Sequence, residues 1–155
     1  MPTLTITDAL TAEHVVLLDL FGQVEELLFS ARTLSEVRLL SKLVEQMLLD
    51  HADNEKDLAY AVLDHALADR GTLDRMHQDH EEIDESLRRV SSATSLAEAV
   101  RLLRIALAAS REHFRFEETR VFPAIEGVLQ TETLVKLGRA WMDKSGSGQL
   151  DVPVA

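Results

Sequence analysis

Cysteine is absent from the 155 residues. That one absence excludes disulfides, thiolate catalysis, iron–sulfur clusters and cysteine-type zinc sites, and it leaves the redox compartment unspecified. Proline and glycine are scarce, at three and six residues, so little in the chain would interrupt a helix. Positive charge is also in short supply. Lys plus Arg number 16 against 27 Asp plus Glu, and 16 − 27 = −11. A surface that acidic repels phosphate backbones and anionic membranes, so neither nucleic acid nor a membrane is expected as a partner. No run approaches the roughly 18–20 apolar residues that span a bilayer. The opening MPTLTITDAL has no basic region or long apolar stretch, so no signal peptide is expected and a cytoplasmic location is.

What the chain does have is helical periodicity. Apolar residues make up 46%, Leu, Ala, Glu and Arg dominate, and the length suits one domain. Thr11 reads as a helix N-cap, with leucines and valines at helical spacing to about Ser30. A turn over Ala31–Ser35 precedes a second helix, capped by Ser35 and running past His51 to about Leu67. Gly71 reads as a helix stop and Thr72 as the cap of a third helix reaching about Val90. Ser95 and Glu98 have the spacing of a capping box for a fourth helix, which Pro123 kinks or ends. A short fifth helix is expected over about Glu132–Asp143, with the only tryptophan, Trp141, and a disordered tail over residues 145–155. The expected fold is therefore all-α: an up-down-up-down four-helix bundle over residues 1–144, with the fifth helix at its C-terminal end.

Six histidines lie along the chain, and five have Asp or Glu four residues later: Glu55, Asp69, Glu81, Asp84 and Glu117. In so acidic a chain that spacing says little, because a lone His/acid pair on a helix is ordinarily a surface pair. Level in the bundle is more telling. Sixteen residues separate His14 from Ser30, and sixteen separate Ser35 from His51. At about 1.5 Å per residue both stand roughly 24 Å from their shared turn. His80 and His113–Glu117 reach nearly the same level from the next turn, whereas the junction between helices 2 and 3 fits less well. His65 falls near the end of helix 2 and reads as structural or exposed. Imidazole and carboxylate together suit iron, manganese or zinc, and glutamates could bridge two ions.

The stretch His113-Phe-Arg-Phe-Glu117-Glu118-Thr-Arg-Val-Phe122-Pro123 resembles the signature of the hemerythrin-like (HHE cation-binding) family. Glu13-His14, Asp79-His80 and His51 to Glu55 resemble its other motifs, so the likeness spans about residues 9–126. The resemblance implies a four-helix bundle with two non-haem iron ions bridged by carboxylates, Mn or Zn being possible substitutes. It also implies a small ligand such as O2, NO or peroxide. Carried over by position, the ligands would be His14, His51, Glu55, His80, His113 and Glu117. In one departure the His-x-x-x-His pair of hemerythrin proper is missing, because position 76 is Met; His77, three before His80, is a further candidate ligand. In another, the helix 2 motif lacks a second Glu and the Phe-Pro. Tyr60, the only tyrosine, could stack or hydrogen-bond near such a site, its uniqueness being the only feature that points to it. A peroxide-decomposing activity is compatible with the same centre. The competing readings are a histidine phosphotransfer domain and a metal-free helical interaction domain.

Overall fold

Capping boxes decide where the first two helices begin. In the computed structural model, which describes residues 3–66 and 70–146, α1 spans Ile6–Ser30 and α2 spans Leu34–Glu55. Thr5 Oγ1 accepts from the Asp8 amide while Asp8 accepts from the Thr5 amide, both at 3.2 Å. Thr33 and Glu36 repeat the exchange at 3.2 and 3.0 Å. These starts correct the caps expected at Thr11 and Ser35. Neither of those residues has an acid three positions on, so neither can satisfy two amides reciprocally as Thr5 and Thr33 do. Ser95 does cap α5 (Leu96–Phe116), accepting from the Glu98 amide at 3.2 Å. Glu98 turns to the Thr94 amide instead, so only half of the expected box forms.

Two long helices are interrupted by a wider turn without being ended. Past Glu55, α2 passes through a π-helical turn, Lys56–Tyr60, into α3 (Ala61–Ala66). Past Phe116, α5 passes through a second π turn, Glu117–Val121, into α6 (Phe122–Val128). Pro123 stands in the first turn of α6, directly after the π turn, so the kink or end expected there is a wider turn through which the helix continues. The helix α4 spans Arg70–Ser92, so Gly71 and Thr72 lie inside it and are neither stop nor cap. The last helix, α7 (Thr131–Gly146), runs beyond the expected Asp143 and takes in Ser145, the first residue of the expected tail. The rest of that tail, residues 147–155, lies outside the described residues, as does the side chain of His65.

Helices α1, α2, α4 and α5 pack around one core, and α7 lies against α1. The core forms two apolar clusters. One holds Leu17, Phe21, Val44, Leu87, Leu103 and Phe114; the other holds Leu10, Tyr60, Met76, Phe122 and Ile125. His14 stacks on Phe114 of the first cluster, with ring centroids 4.1 Å apart, and on Phe122 of the second at 5.5 Å. The polar centre therefore sits at the waist between the clusters, with apolar packing on either side of it.

Candidate metal centre

Each of α1, α2, α4 and α5 delivers one imidazole to this waist, and α2 and the second π turn each add a glutamate. Two groups result: His14, His51, Glu55 and Glu117, and then Glu55, His80, His113 and Glu117. Within each group the candidate ligand atoms lie within 4.8 Å of one another. The two carboxylates are shared, one oxygen to each side. Glu55 Oε1 lies 2.7 Å from His51 Nε2, and Glu117 Oε2 lies 3.1 Å from His14 Nε2. On the other side Glu55 Oε2 lies 3.6 Å from His80 Nε2, and Glu117 Oε1 contacts His113 Nε2. The imidazole nitrogens also face each other, at 3.1 Å between His14 and His51 and 2.8 Å between His80 and His113.

Both glutamates are fully buried, as is His14. Burying a carboxylate costs several kcal/mol unless it is paired and hydrogen-bonded. Yet Glu55 Oε1 and Glu117 Oε2 have no hydrogen-bond partner among the described residues. The nearby nitrogens converge on the space between them without aligning as donors. Two orphaned carboxylate oxygens among inward-facing Nε2 atoms are what a bound cation would satisfy, and the mixed nitrogen and oxygen donors fit a non-haem metal.

Electrostatics are consistent with a centre short of positive charge. Burial pulls the His14 imidazole down, but the Glu117 and Glu55 carboxylates outweigh it and lift it to about 9. His51 is likewise pulled down by burial and lifted further, to about 10, by Glu55 and Glu13. His113 is raised by Glu117, Glu55 and Asp79 against its burial. Glu55 is held well below the ordinary carboxylate range, against its own burial, by His51, His14 and His80. Without a cation, protonated imidazoles supply the charge that the carboxylates require.

A layer of acids fixes the rings from behind. Nδ1 of His14 meets Glu118 at 2.9 Å, Nδ1 of His51 meets Glu13 at 2.5 Å, and Nδ1 of His113 meets Asp79 at 3.2 Å. A carboxylate there keeps a proton on Nδ1 and turns Nε2 toward the centre. The partnership is crossed between helices: Glu13 precedes His14 yet holds His51, and Asp79 precedes His80 yet holds His113. Consecutive helical residues point about 100° apart, so an acid beside a histidine serves the neighbouring helix instead. The acid-then-His pairs are visible in the sequence, but this crossing is not. Nothing in the sequence beyond its being the only tyrosine marks Tyr60; its hydroxyl donates to Glu55 Oε2 at 2.8 Å and lies 3.3 Å from Glu117 Oε1. His77 is exposed and belongs to neither group, lying with His80 on the wall of an open groove.

An all-helical bundle with a buried His/Glu cluster able to hold metal is the class of protein that this fold and site define. The chain belongs to the hemerythrin HHE cation binding domain family, whose model matches residues 5–134. No curated protein and no solved structure matches the chain.

Proposed function

We propose that the protein holds two non-haem iron ions and binds a small ligand, O2, NO or peroxide, beside them. The observation that carries this reading is the pair of buried, unpartnered oxygens, Glu55 Oε1 and Glu117 Oε2, set among four imidazoles. One ion would be held by His14 and His51 and the other by His80 and His113, with Glu55 and Glu117 giving an oxygen to each. Manganese or zinc would suit the same donors as substitutes. Bound iron would supply reversible one-electron chemistry and an open coordination position for a diatomic or peroxide.

The protein's own residues select what reaches that position. A cavity of about 60 Å³, lined by Leu48, Leu49, Ile83 and Phe114, opens onto His51, His80 and His113. About 10–15 Å³ holds one water, so this space admits a diatomic or peroxide but not a bulky substrate. Its walls are mostly apolar, with the Asp84 carboxylate among them, which favours neutral O2 and NO over anions. A role in binding or redox chemistry of such ligands follows, with peroxide decomposition as the associated activity. Phosphotransfer is the weaker reading: it uses one exposed imidazole, which His77 supplies, and leaves the convergence of buried His14, His51 and His113 with two buried glutamates without a role.

The test is metal analysis and visible spectroscopy of the protein after anaerobic Fe(II) loading and exposure to air. About two irons per chain, with a visible band that shifts on adding NO or peroxide, is the expected result. A protein that stays colourless and metal-free after loading would sink the proposal. His113→Ala is expected to fall from about two to about one iron per chain, because it removes a donor from one position only, while keeping its helix content.

A further inference from the structure

We propose that the outer groove between α1 and α2 docks a basic amphipathic helix of another protein. The side of α1 that faces α2 is marked by Glu13, which accepts from Asn54 of α2 at 2.7 Å. Leu20 and Leu27 follow Glu13 at seven-residue intervals and so share its face, and Met47 precedes Asn54 by seven. Val16 and Leu43, each four residues from one of these, extend the two rows. The rows lie beside the core positions and not on them, since Leu17, Phe21, Val24 and Leu28 of α1 and Val37 and Val44 of α2 are the buried ones. Val16, Leu27 and Leu43, and Leu39 one turn before Leu43, are apolar yet each at least half exposed. Val16 and Met47 meet across the seam, in a cavity of about 290 Å³ whose wall also includes Glu13, His51 and Trp141.

Single apolar side chains on a surface are ordinary, but a continuous apolar stripe with a polar rim marks a binding face. The charge of the rim decides what covers it. Helix α1 carries five acids and no lysine or arginine. Asp19 and Glu26 stand exposed along its edge of the groove, and Asp50 along the edge of α2. Asp19 and Asp50 accept from the amides of Gln23 and Gln46, which are neutral and leave the carboxylate charge in place. Lys42, on the outer side of α2, is engaged by Glu45 at 2.9 Å. A second copy of the chain would set one acidic rim against another, at a net charge of −11 each, and like charges brought together oppose that pairing. A helix with apolar residues on one face and lysine or arginine on its flanks matches both features. Its apolar residues would lie along the stripe, about 16 Å from Val16 to Leu27 at about 1.5 Å per residue, with its cations at Asp19, Glu26 and Asp50. At one end it would reach the cavity beside Glu13, the carboxylate that orients His51. The docking itself needs no metal at the centre.

The experiment is a calorimetric titration of the full chain with a synthetic helical peptide of about 18 residues, leucines on one face and lysines on its flanks. A peptide of the same composition in scrambled order, and one with glutamate in place of lysine, are the comparisons. The first peptide is expected to bind saturably at one per chain, and the other two at least about tenfold more weakly. Leu27→Gln combined with Leu43→Gln is expected to weaken the first peptide by about tenfold or more, because two apolar contacts are lost. Equal affinity for the ordered and scrambled peptides, or for wild type and the double variant, overturns the proposal, as does no binding by any of the three. Sedimentation that shows a wild-type dimer abolished by the double variant also overturns it and assigns the stripe to a second copy. Circular dichroism checks the fold of the variant, and if it does not fold the contrast among the three peptides on wild type decides alone.

Discussion

The indole N–H of Trp141 donates to Glu13 Oε1 at 2.6 Å, and the other oxygen of Glu13 holds Nδ1 of His51 at 2.5 Å. Asn54 donates to the same Oε1 at 2.7 Å. The C-terminal helix α7 thereby reaches the candidate metal centre through one carboxylate. Groups that orient a ligating imidazole typically matter 10–100-fold in metal affinity. Glu13→Ala should accordingly weaken metal retention about 10–100-fold in chelator competition. Trp141→Phe should act in the same direction but less, because Asn54 still holds Glu13. Unchanged retention in Glu13→Ala would remove Glu13 from this role.

Gly138 is the point at which α7 meets the start of α1. A Cβ there would lie 2.2 Å from the Leu4 carbonyl oxygen and 2.9 Å from the Thr5 carbonyl carbon. Both are backbone atoms, so the helix itself must shift. Gly138→Ala is expected to destabilise the fold by about 1–3 kcal/mol in denaturant unfolding. At Gly22, inside α1, a Cβ meets nothing within 4 Å. Gly22→Ala should instead stabilise by about 0.5–1 kcal/mol, the ordinary helix preference for alanine. Equal effects at the two sites would mean that the close approach at Gly138 does not constrain α7.

Because Glu117 offers an oxygen to each group and His80 belongs to only one, their removal should differ in kind. Glu117→Ala is expected to lose metal from both positions. His80→Ala is expected to retain about one metal per chain, at the His14–His51 position. Metal analysis after dialysis distinguishes the two outcomes. A similar loss in both variants would mean that the positions fill only together.

The metal-free protein should be least stable in alkali and in strong acid. His14 and His51 are raised from about 6.5 to about 9 and about 10, so folding binds their protons more tightly than the unfolded chain does. Their contribution is full below about 6.5 and is lost as pH rises through about 9 to 10. Glu55 is lowered, so its contribution is present above its ordinary value and is lost as pH falls through its depressed one. Chelator-treated protein is expected to unfold at lower denaturant concentration at pH 10 than at pH 7. Metal competes with the same protons, so loading should release protons and strengthen from pH 6 to pH 9. A metal affinity independent of pH would contradict protonated imidazoles in the empty centre.

Much of the bundle was legible because helix periodicity depends on local sequence alone. The long apolar stripes of α1, α2 and α5 can be read directly, and so can the connections, expected over Ala31–Ser35 and Ser91–Ser95 and found, shorter, over residues 31–33 and 93–95. Thr11 and Ser35 have the chemistry of helix caps but no acid three positions on, whereas the true starts, Thr5 and Thr33, each have a reciprocal partner in Asp8 and Glu36. The π turns are not legible in the sequence, because i→i+5 bonding leaves no mark in a side-chain pattern dominated by 3.6-residue periodicity. The convergence of His14 and His51 did follow from counting residues to their turn, which works when both helices are regular. Across the junction between α2 and α4 the same count failed, and there a π turn and residues 67–69 intervene.

The sequence by itself determined the helical class, the exclusion of thiolate chemistry, and which imidazoles and carboxylates were available to converge. These follow from composition and local spacing, which do not depend on distant contacts. Only the tertiary structure decided which oxygen faces which imidazole pair, that Glu13 and Asp79 each serve a histidine on another helix, that His77 stays outside, and that Tyr60 turns in. Those choices rest on helix rotation and on the extra residue in each π turn. A rotation of about 100° separates one residue's direction from the next, and only packing against neighbouring helices fixes that angle.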